Sequence, residues 1–304
     1  MATQRRPVGV IGVGLMGTAC AGRLRGAGFE VLGYDVDPRK LDGLRSLGGR
    51  AAGSIAEIAR ECDQVVLAVF DTGQVEKAVE GLLTARPAHN PSRLPGAVEP
   101  PALAVICVST CDPDRIAALA GRLPPGRLQF IESPVSGTSD QVARGDALGL
   151  VAGDRAAIEG ARGVIEAIAP RWHHLGAAGN GGRAKLAINL ILGINRAGLA
   201  EGLVFAERMG LPLDSFLSVA RESAAYSQVM DIKGRKMVGS EFSPQGYVHQ
   251  SLKDFSLMLE QARKLKQQLP LGETYKALME GCVARGEAEL DNSAVINEIR
   301  RRRS

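Results

Sequence analysis

The sequence predicts an α/β fold, with a doubly wound, mostly parallel sheet followed by an all-helical region. From Val8 to about Leu175, short apolar runs that suit buried strands alternate with helical stretches. After Gly176 no strand-like run is present, and Leu, Ile, Ala and Met recur at helical spacing. We therefore predict two domains, at residues 1–176 and 177–304, separated at a cluster of glycines.

Six apolar runs are predicted to form strands. They are Val8–Ile11, Val31–Tyr34, Gln64–Val69, Ala104–Val108, Gln129–Ile131 and Leu148–Val151. The stretch from Arg86 to Pro101 holds five prolines and little periodicity, which predicts an extended loop before the fourth strand.

A glycine-rich turn follows the first predicted strand and precedes a predicted helix, in the order Gly12-Val13-Gly14-Leu15-Met16-Gly17. In this context the spacing is typical of a dinucleotide-binding fingerprint. Gly12 would permit the tight turn, Gly14 the approach of a pyrophosphate, and Gly17 the packing of helix on strand. The phosphates would then lie at the helix N-terminus, where free N–H groups favour negative charge.

Asp35 stands eighteen residues after Gly17, at the end of the second predicted strand. A carboxylate there suits the ribose hydroxyls of NAD and would repel the 2′-phosphate of NADP, although Arg39 and Lys40 soften that preference. NAD is therefore the predicted cofactor and NADP the less favoured one. The alternative is a structural glycine turn beside a surface aspartate.

Composition narrows the class of protein further. The formal charge of +4 is matched by four arginines in the last five residues, a tail that predicts solvated disorder. Aromatic content of 4% and interspersed charges argue against a nucleic-acid-binding face. Five scattered cysteines indicate neither a disulfide framework nor a metal site. The apolar run after Arg6 is too short for a signal peptide, so we expect a cytoplasmic protein.

Lys185 and Asn189 are the polar residues of an otherwise apolar helical stretch, residues 184–194, and lie four residues apart on one face. A helix that is apolar nearly all round is expected to be buried. A buried ammonium is costly, so Lys185 is either a residue that reaches solvent from the helix start or a functional group. An amine in an apolar site could exchange a proton with a substrate oxygen during hydride transfer. The polar interruptions, which include Arg196 and Glu201, argue against a transmembrane span.

The segment Glu132-Ser-Pro-Val-Ser-Gly-Thr138 follows the fifth predicted strand and should lie at the carboxyl end of the sheet, where ligands of such folds bind. Ser136 and the backbone N–H groups around Gly137 and Thr138 would suit a substrate carboxylate. Taken alone, the segment is equally typical of a turn.

Together these segments resemble the β-hydroxyacid dehydrogenase family, which includes 3-hydroxyisobutyrate dehydrogenase and tartronate semialdehyde reductase. The resemblance covers nearly the whole chain. The matching motifs are Gly12–Gly17, Val108-Ser-Thr110 with Pro113, Ser133–Gly137 with Gly145 and Gly153, Gly182–Lys185 with Asn189, and Lys253-Asp254.

The resemblance implies a Rossmann domain joined to a helical domain in an NAD-dependent enzyme that acts on a small β-hydroxy acid or its semialdehyde. It implies that Lys185 is the catalytic acid/base and that Ser136, Gly137 and Asn189 hold a small carboxylate substrate. The residues implied to line the cofactor are Leu15, Met16, Asp35, Val69, Phe70, Thr110 and Lys253. Family members form dimers or tetramers, so a homo-oligomer is expected, with the apolar helix in its packing.

The chain departs from the family pattern at Ile188, Thr138, Phe70 and Cys107-Val108. These departures concern the substrate more than the reaction type. Two alternatives stay open: an enzyme like the imine reductases, which generally lack the lysine, and a non-catalytic cofactor-binding regulatory module. Lys185 argues against the imine-reductase alternative, and retained Lys185, Ser136 and Asn189 argue against the regulatory module.

Overall fold

A computed structural model describes residues 6–86 and 101–302. The chain divides into two compact units, at residues 1–185 and 186–304. The domain boundary inferred from the glycine cluster stays a prediction. The proline-rich loop predicted for residues 86–101 lies outside the described residues except at its two ends.

The first unit contains a six-stranded sheet in which every neighbouring pair is parallel, in the order β3-β2-β1-β4-β5-β6. The strands are β1 (Val8–Ile11), β2 (Val31–Tyr34), β3 (Arg50–Ala51), β4 (Gln64–Leu67), β5 (Leu103–Cys107) and β6 (Leu128–Glu132). The chain reverses direction across the sheet between β3 and β4, so β1 and β4 are neighbours. This arrangement confirms the predicted doubly wound fold.

Alternate residues of the strands are buried in two different cores. Val66 and Ile106 pack in one core with helices on one face, while Leu67 and Val105 pack in the other. Strands covered on both faces are apolar throughout, which is why they read as continuous runs in the sequence. The helices of this unit are α1 (Leu15–Gly26), α2 (Leu41–Ser46), α3 (Ile55–Glu61), α4 (Thr72–Ala85), α5 (Pro113–Gly121), α6 (Ser139–Arg144) and α7 (Arg155–Ile168).

A second sheet has three strands, β7 (Val135–Ser136), β8 (Leu148–Val151) and β9 (Arg171–His174). The prediction that Leu148–Val151 joins the main sheet is wrong: β8 pairs antiparallel with β7 and parallel with β9. In the described part of the chain, an isolated bridge between Glu132 and Ala152 links the two sheets. An apolar run predicts a buried strand, but it does not show which other strand that strand pairs with.

The second unit is helical over its described residues, as predicted. Helix α8 (Asn180–Arg208) begins in the first unit, and the others are α9 (Leu213–Glu222), α10 (Gln228–Val238), α11 (Val248–Lys264), α12 (Pro270–Ala284) and α13 (Val295–Arg301). Its core includes Leu203, Met237, Phe255 and Met279. Phe255 and Tyr275 pack with ring centroids 4.3 Å apart.

Helix α8 is less buried than expected. By length and composition it could cross a membrane, with an 18-residue window of mean hydropathy 1.3, a test that mostly buried core helices of soluble proteins also pass. Only 22% of that window is buried, and Ile191 and Phe205 are 60% and 66% exposed. The expectation of a buried helix is therefore wrong, because apolar periodicity does not tell which chain covers a face. The absence of a membrane span stays a prediction.

The arginines at the end of the chain are ordered as far as Arg302, so the prediction of a solvated tail is wrong for these residues. Arg300 pairs with Glu207 at 3.1 Å, and Arg301 pairs with Glu287 at 2.9 Å. The last turn of a helix favours cations because of its dipole, and acidic partners lie within reach. Residues 303 and 304 are outside the described range.

Candidate functional site

The loops after β1 and β4 form the edge of the sheet where the strand order reverses. Ligands of open α/β sheets bind outside the carboxyl ends of the strands at such a point. The loop after β1 contains Gly12–Gly17, and the loop after β4 contains Val69 and Phe70. The predicted cofactor residues of these two loops therefore directly follow two adjacent strands.

Two of the three fingerprint glycines, Gly12 and Gly17, are required by their neighbours. Gly12 has φ +88°, and a Cβ there would lie 2.5 Å from the Ala68 carbonyl oxygen. A Cβ at Gly17 would lie 1.8 Å from the Gly12 carbonyl oxygen, so helix α1 can approach the turn only with glycine at this position. A Cβ at Gly14 would meet no heavy atom of the described chain within 4 Å. Gly14 therefore faces open space.

The N-terminus of α1 fits a dinucleotide phosphate. Gly14 is the N-cap residue and brings no capping side chain, while Leu15 and Met16 begin the helix. The first N–H groups of a helix need an external acceptor, and the helix dipole favours an anion. Open space at Gly14 and uncapped amides together match the demands of a pyrophosphate.

Asp35 lies at the end of β2 beside the same turn. Its Oδ2 accepts a hydrogen bond from the Val13 amide at 2.7 Å, and its Oδ1 accepts one from the Asp37 amide at 2.9 Å. The carboxylate is thus fixed by backbone contacts, which leave lone pairs for ribose hydroxyls. Lys40 Nζ is 3.9 Å from Asp35 Oδ1, whereas Arg39 makes two hydrogen bonds of 2.9 Å to Asp37.

Residues after β4 and β5 are tied to each other. Ser109 Oγ donates to the Val69 carbonyl oxygen at 2.7 Å. The next residue, Thr110, is buried, while Phe70 is 39% exposed and donates its amide to Gln74 Oε1 at 2.9 Å. Val69, Phe70 and Thr110 therefore belong to one connected edge of the sheet.

The Ser136–Thr138 segment begins with the last residue of β7 and leads into α6. Gly137 has φ +150°, a conformation that favours glycine. Thr138 is the N-cap of α6 in a capping box: its Oγ1 accepts from the Gln141 amide at 3.3 Å, and its own amide donates to Gln141 Oε1 at 2.9 Å. The Thr138 amide already has a partner within the chain, so Ser136 and Gly137 are the residues of this segment that stay predicted for a substrate carboxylate.

Glu132, the last residue of β6, was not predicted as a functional residue. It is 3% exposed and accepts backbone hydrogen bonds from Gly179, Gly181 and Gly182, the residues that begin α8. Burial raises the pKa of Glu132, and the three N–H donors oppose that rise. A charged residue ending an apolar strand was visible in the sequence. Its partners, 47 to 50 residues further on, were not.

Lys185 lies in the first turns of α8 and is 8% exposed. The Lys185 side chain therefore does not extend into solvent from the helix start, which was the alternative to a functional role. A buried ammonium requires compensation or the loss of its proton, and either requirement suits a group that handles protons.

Asn189 and Lys253, one predicted for substrate and the other for cofactor, meet at one carboxylate in the second unit. Asn189 Nδ2 donates to Asp254 Oδ2 at 3.0 Å, and Lys253 Nζ lies 3.0 Å from Asp254 Oδ1. Asp254 is 6% exposed. It orients both side chains, a role that the sequence motif did not reveal.

The described residues include no group of three or more His, Cys, Asp or Glu side chains that could hold a metal ion. All five cysteines are free and buried. Burial raises the pKa of Cys20 to about 12, which leaves its thiol protonated and unreactive at neutral pH.

Comparisons with known proteins match both parts of the chain. A family model described as the NAD binding domain of 6-phosphogluconate dehydrogenase matches residues 7–176. A second, described as NAD-binding of NADP-dependent 3-hydroxyisobutyrate dehydrogenase, matches residues 179–299. An L-threonate dehydrogenase of Cupriavidus necator is 31% identical over 96% of this chain and 95% of its own length. A 2-hydroxy-3-oxopropionate reductase of Escherichia coli is 26% identical over 96% of each chain.

Among solved structures, a 3-hydroxyisobutyrate dehydrogenase from Salmonella typhimurium superposes with a TM-score of 0.84 and 27% identity, covering 96% of this chain and 99% of its own. The relatives are dehydrogenases and reductases, and the matched domains bind a nicotinamide cofactor. The chain is therefore an oxidoreductase with an NAD(P)-binding Rossmann domain, and it belongs to the β-hydroxyacid dehydrogenase family that includes 3-hydroxyisobutyrate dehydrogenase.

Proposed function

We propose that this protein is an NAD-dependent oxidoreductase that acts on a small β-hydroxy acid or its semialdehyde, with Lys185 as general acid/base. The observation that carries the proposal is the burial of Lys185 in the first turns of α8. In this fold the reaction needs a proton donor and acceptor beside the substrate oxygen, and a sheltered amine can serve as both.

Each part of the substrate has a proposed partner. Ser136 and the Gly137 amide hold the carboxylate, and Lys185 and Asn189 hold the hydroxyl or carbonyl oxygen. The bound nicotinamide supplies or accepts the hydride. Lys185 must be neutral to take the hydroxyl proton during oxidation, and protonated to return it during reduction. Asn189, oriented by Asp254, hydrogen-bonds the same oxygen without competing for the proton.

The cofactor is proposed to bind along the edge formed by the loops after β1, β4 and β5. The α1 N-terminus would hold the pyrophosphate, and Asp35 would bind the ribose hydroxyls. Lys253 is also proposed to contact the cofactor. The Asp35 carboxylate supports NAD over NADP, and so does the engagement of Arg39 with Asp37. Comparable or better kcat/KM with NADP would overturn this preference.

A panel of acids tests the reaction. The purified protein is assayed for oxidation of 3-hydroxyisobutyrate and L-threonate with NAD, and for reduction of 2-hydroxy-3-oxopropionate with NADH, substrates suggested by the relatives' names. We expect turnover of at least one, followed by the absorbance of NADH. Cofactor binding without turnover of any acid would contradict the proposal and favour the regulatory module.

We also propose that a second copy of this chain covers the exposed face of α8. Two apolar residues there, Ile191 and Phe205, are more than half exposed, and so is Met209, which directly follows the helix. Exposed apolar residues gathered on one helix are typical of an association surface. A dimer or tetramer would bury them.

A further inference from the structure

The carboxylate of Glu132 ties the end of one strand to the start of the helix that carries Lys185. Its Oε1 accepts from the Gly182 amide at 3.1 Å, and its Oε2 accepts from the Gly181 amide at 3.3 Å and from the Gly179 amide. The first N–H groups of a helix have no partner within the helix, so this one side chain satisfies three of them. Hydrogen bonds to a carboxylate are also stronger than those between neutral groups.

The glycines at the helix start make this close approach possible. A Cβ at Gly181 would lie 2.8 Å from the Leu150 carbonyl oxygen and 3.1 Å from Glu132 Cβ. A Cβ at Gly182 would lie 3.2 Å from Glu132 Oε1. The first turn of α8 is therefore pressed against the ends of β6 and β8, and the buried carboxylate determines its position.

Two other helices of this unit, α7 and α4, are capped by a residue at their own start. Asp154 accepts from the Ala157 amide at 2.9 Å at the start of α7, and Asp71 accepts from the Gln74 amide at 2.8 Å at the start of α4. Each of these two caps joins residues three apart in the sequence, whereas Glu132 joins segments 47 to 50 residues apart. A local cap stabilises its own helix. The long-range contact of Glu132 also fixes the start of α8 relative to the strand that leads to Ser136.

Lys185 stands one helical turn beyond the amides that Glu132 holds. Residues three and four apart lie on one face of a helix, so Lys185 shares a face with Gly181 and Gly182. Helical side chains lean toward the N-terminus, over the preceding turn. A shift of the first turn would therefore carry the Lys185 amine with it.

We propose that Glu132 is a positioning residue for Lys185, and that its contact with the start of α8 sets where the amine meets the substrate oxygen. This inference rests on the proposed function of Lys185. Misplacement of a reacting group by about 1 Å can cost about 10²-fold in rate. Loss of the carboxylate should thus lower kcat more than it weakens binding.

The test compares Glu132→Gln with Asp154→Ala in the full-length protein. Gln keeps the shape but offers one acceptor oxygen, and its NH₂ group opposes a backbone donor. Asp154→Ala removes the cap of a helix that carries no proposed catalytic residue. On the fastest acid of the panel, Glu132→Gln should lower kcat about 10- to 100-fold and leave KM and NADH affinity within about twofold. Asp154→Ala should leave kcat near the wild-type value, and Glu132→Asp should fall between Gln and wild type.

A double-mutant cycle with Lys185→Ala separates positioning from general damage. If Glu132 acts through Lys185, Glu132→Gln should lower the residual rate of the Lys185→Ala enzyme less than about twofold. An equal loss in both backgrounds, or a wild-type kcat for Glu132→Gln, would overturn the inference. If Lys185→Ala itself keeps the wild-type rate, the proposed function fails instead.

Amide hydrogen exchange tests the structural step without activity. Glu132→Gln should speed exchange at residues 179–185 and leave the start of α7 unchanged, and Asp154→Ala should do the reverse. Unchanged protection at the start of α8 in Glu132→Gln would contradict the proposed contact. Should Glu132→Gln not fold, the same comparison in Glu132→Asp decides between these outcomes.

Discussion

At the scale of single residues, Lys233 and Asp291 form a buried ion pair in the helical unit, with exposures of 3% and 0%. Lys233 Nζ donates to both Asp291 oxygens, at 2.7 and 2.9 Å, and to Gln245 Oε1 at 3.2 Å. Removing one partner leaves a buried charge uncompensated. Asp291→Asn should therefore lower the free energy of unfolding by about 3–5 kcal/mol in urea titrations. The exposed pair of Arg45 and Asp42 is the control, and Asp42→Asn should cost less than about 1 kcal/mol.

The same pair predicts a pH dependence. Burial lowers the pKa of Lys233 to about 8, against the opposing attraction of Asp291. A lysine whose pKa is lower in the folded state holds fewer protons there, so stability rises with pH between about 8 and the ordinary value of 10.5. Without Asp291 the lysine should lose its proton at still lower pH. The stability deficit of Asp291→Asn should thus shrink from pH 7 to pH 10, and a constant deficit would contradict this account.

Asp35 is the residue on which the cofactor preference depends. Asp35→Asn keeps an oxygen for the Val13 amide but removes the charge that would repel a 2′-phosphate. We expect the ratio of kcat/KM for NADP over NAD to rise about tenfold, which corresponds to roughly 1.4 kcal/mol. Initial rates with both cofactors measure it. The idea fails if the ratio stays at the wild-type value while NAD binding is retained.

Residues whose role depends on local sequence could be predicted, and residues whose role depends on distant contacts could not. The fingerprint glycines and Asp35 were found because the strand, turn and helix around them are adjacent in the chain. Glu132 and Asp254 were not, because their partners lie on other elements, 65 residues away for Asn189 and Asp254. For Lys185 and Asn189, the apolar helix and their four-residue spacing suggested a functional pair, and the resemblance implied their catalytic and substrate-binding roles.

At the scale of elements, the turn from β1 into α1 offers a matched pair of glycine variants. Gly17→Ala places a Cβ against the Gly12 carbonyl oxygen and should destabilise the fold by about 1–3 kcal/mol or more. Gly14→Ala meets no described atom, so its cost should be only about 0.5 kcal/mol, from a poorer N-cap. In the Gly14 variant the added methyl stands where a pyrophosphate would approach.

Thermal denaturation and NADH titration distinguish the two variants. Gly17→Ala should lower Tm, whereas Gly14→Ala should weaken NADH binding at nearly wild-type Tm. Wild-type NADH affinity in a folded Gly14→Ala protein would show that the phosphates do not bind at this turn.

Buried strands of four residues, such as β1 and β2, were the easiest elements to predict. β1 and β2 have the predicted bounds, because a β-branched or apolar run between turn residues leaves few alternatives. β3 and β7 have two residues each, too few for any periodicity. β9 has the sequence Arg-Trp-His-His. It is half exposed, and this sequence does not predict a strand.

At the scale of the whole molecule, the exposed face of α8 predicts self-association. Phe205→Glu places a charge on the surface proposed to be covered by a second copy, and burying an unpaired charge is costly. We expect the variant to sediment as a smaller species than wild type at the same concentration. Leu265→Glu is the control, since Leu265 is 76% exposed and lies outside α8. A monomeric wild-type protein, or an unchanged oligomer in Phe205→Glu, would contradict the proposed surface.

The steady-state turnover of Lys185→Ala tests the account most directly, with Lys264→Ala as a control at an exposed position of α11. A positioned general acid/base contributes about 10²–10⁴ in rate, so kcat should fall by that factor. NADH affinity and Tm should stay near the wild-type values, because the side chain acts on the substrate oxygen. A folded Lys185→Ala enzyme that binds NADH and turns over at close to the wild-type rate would contradict the central claim.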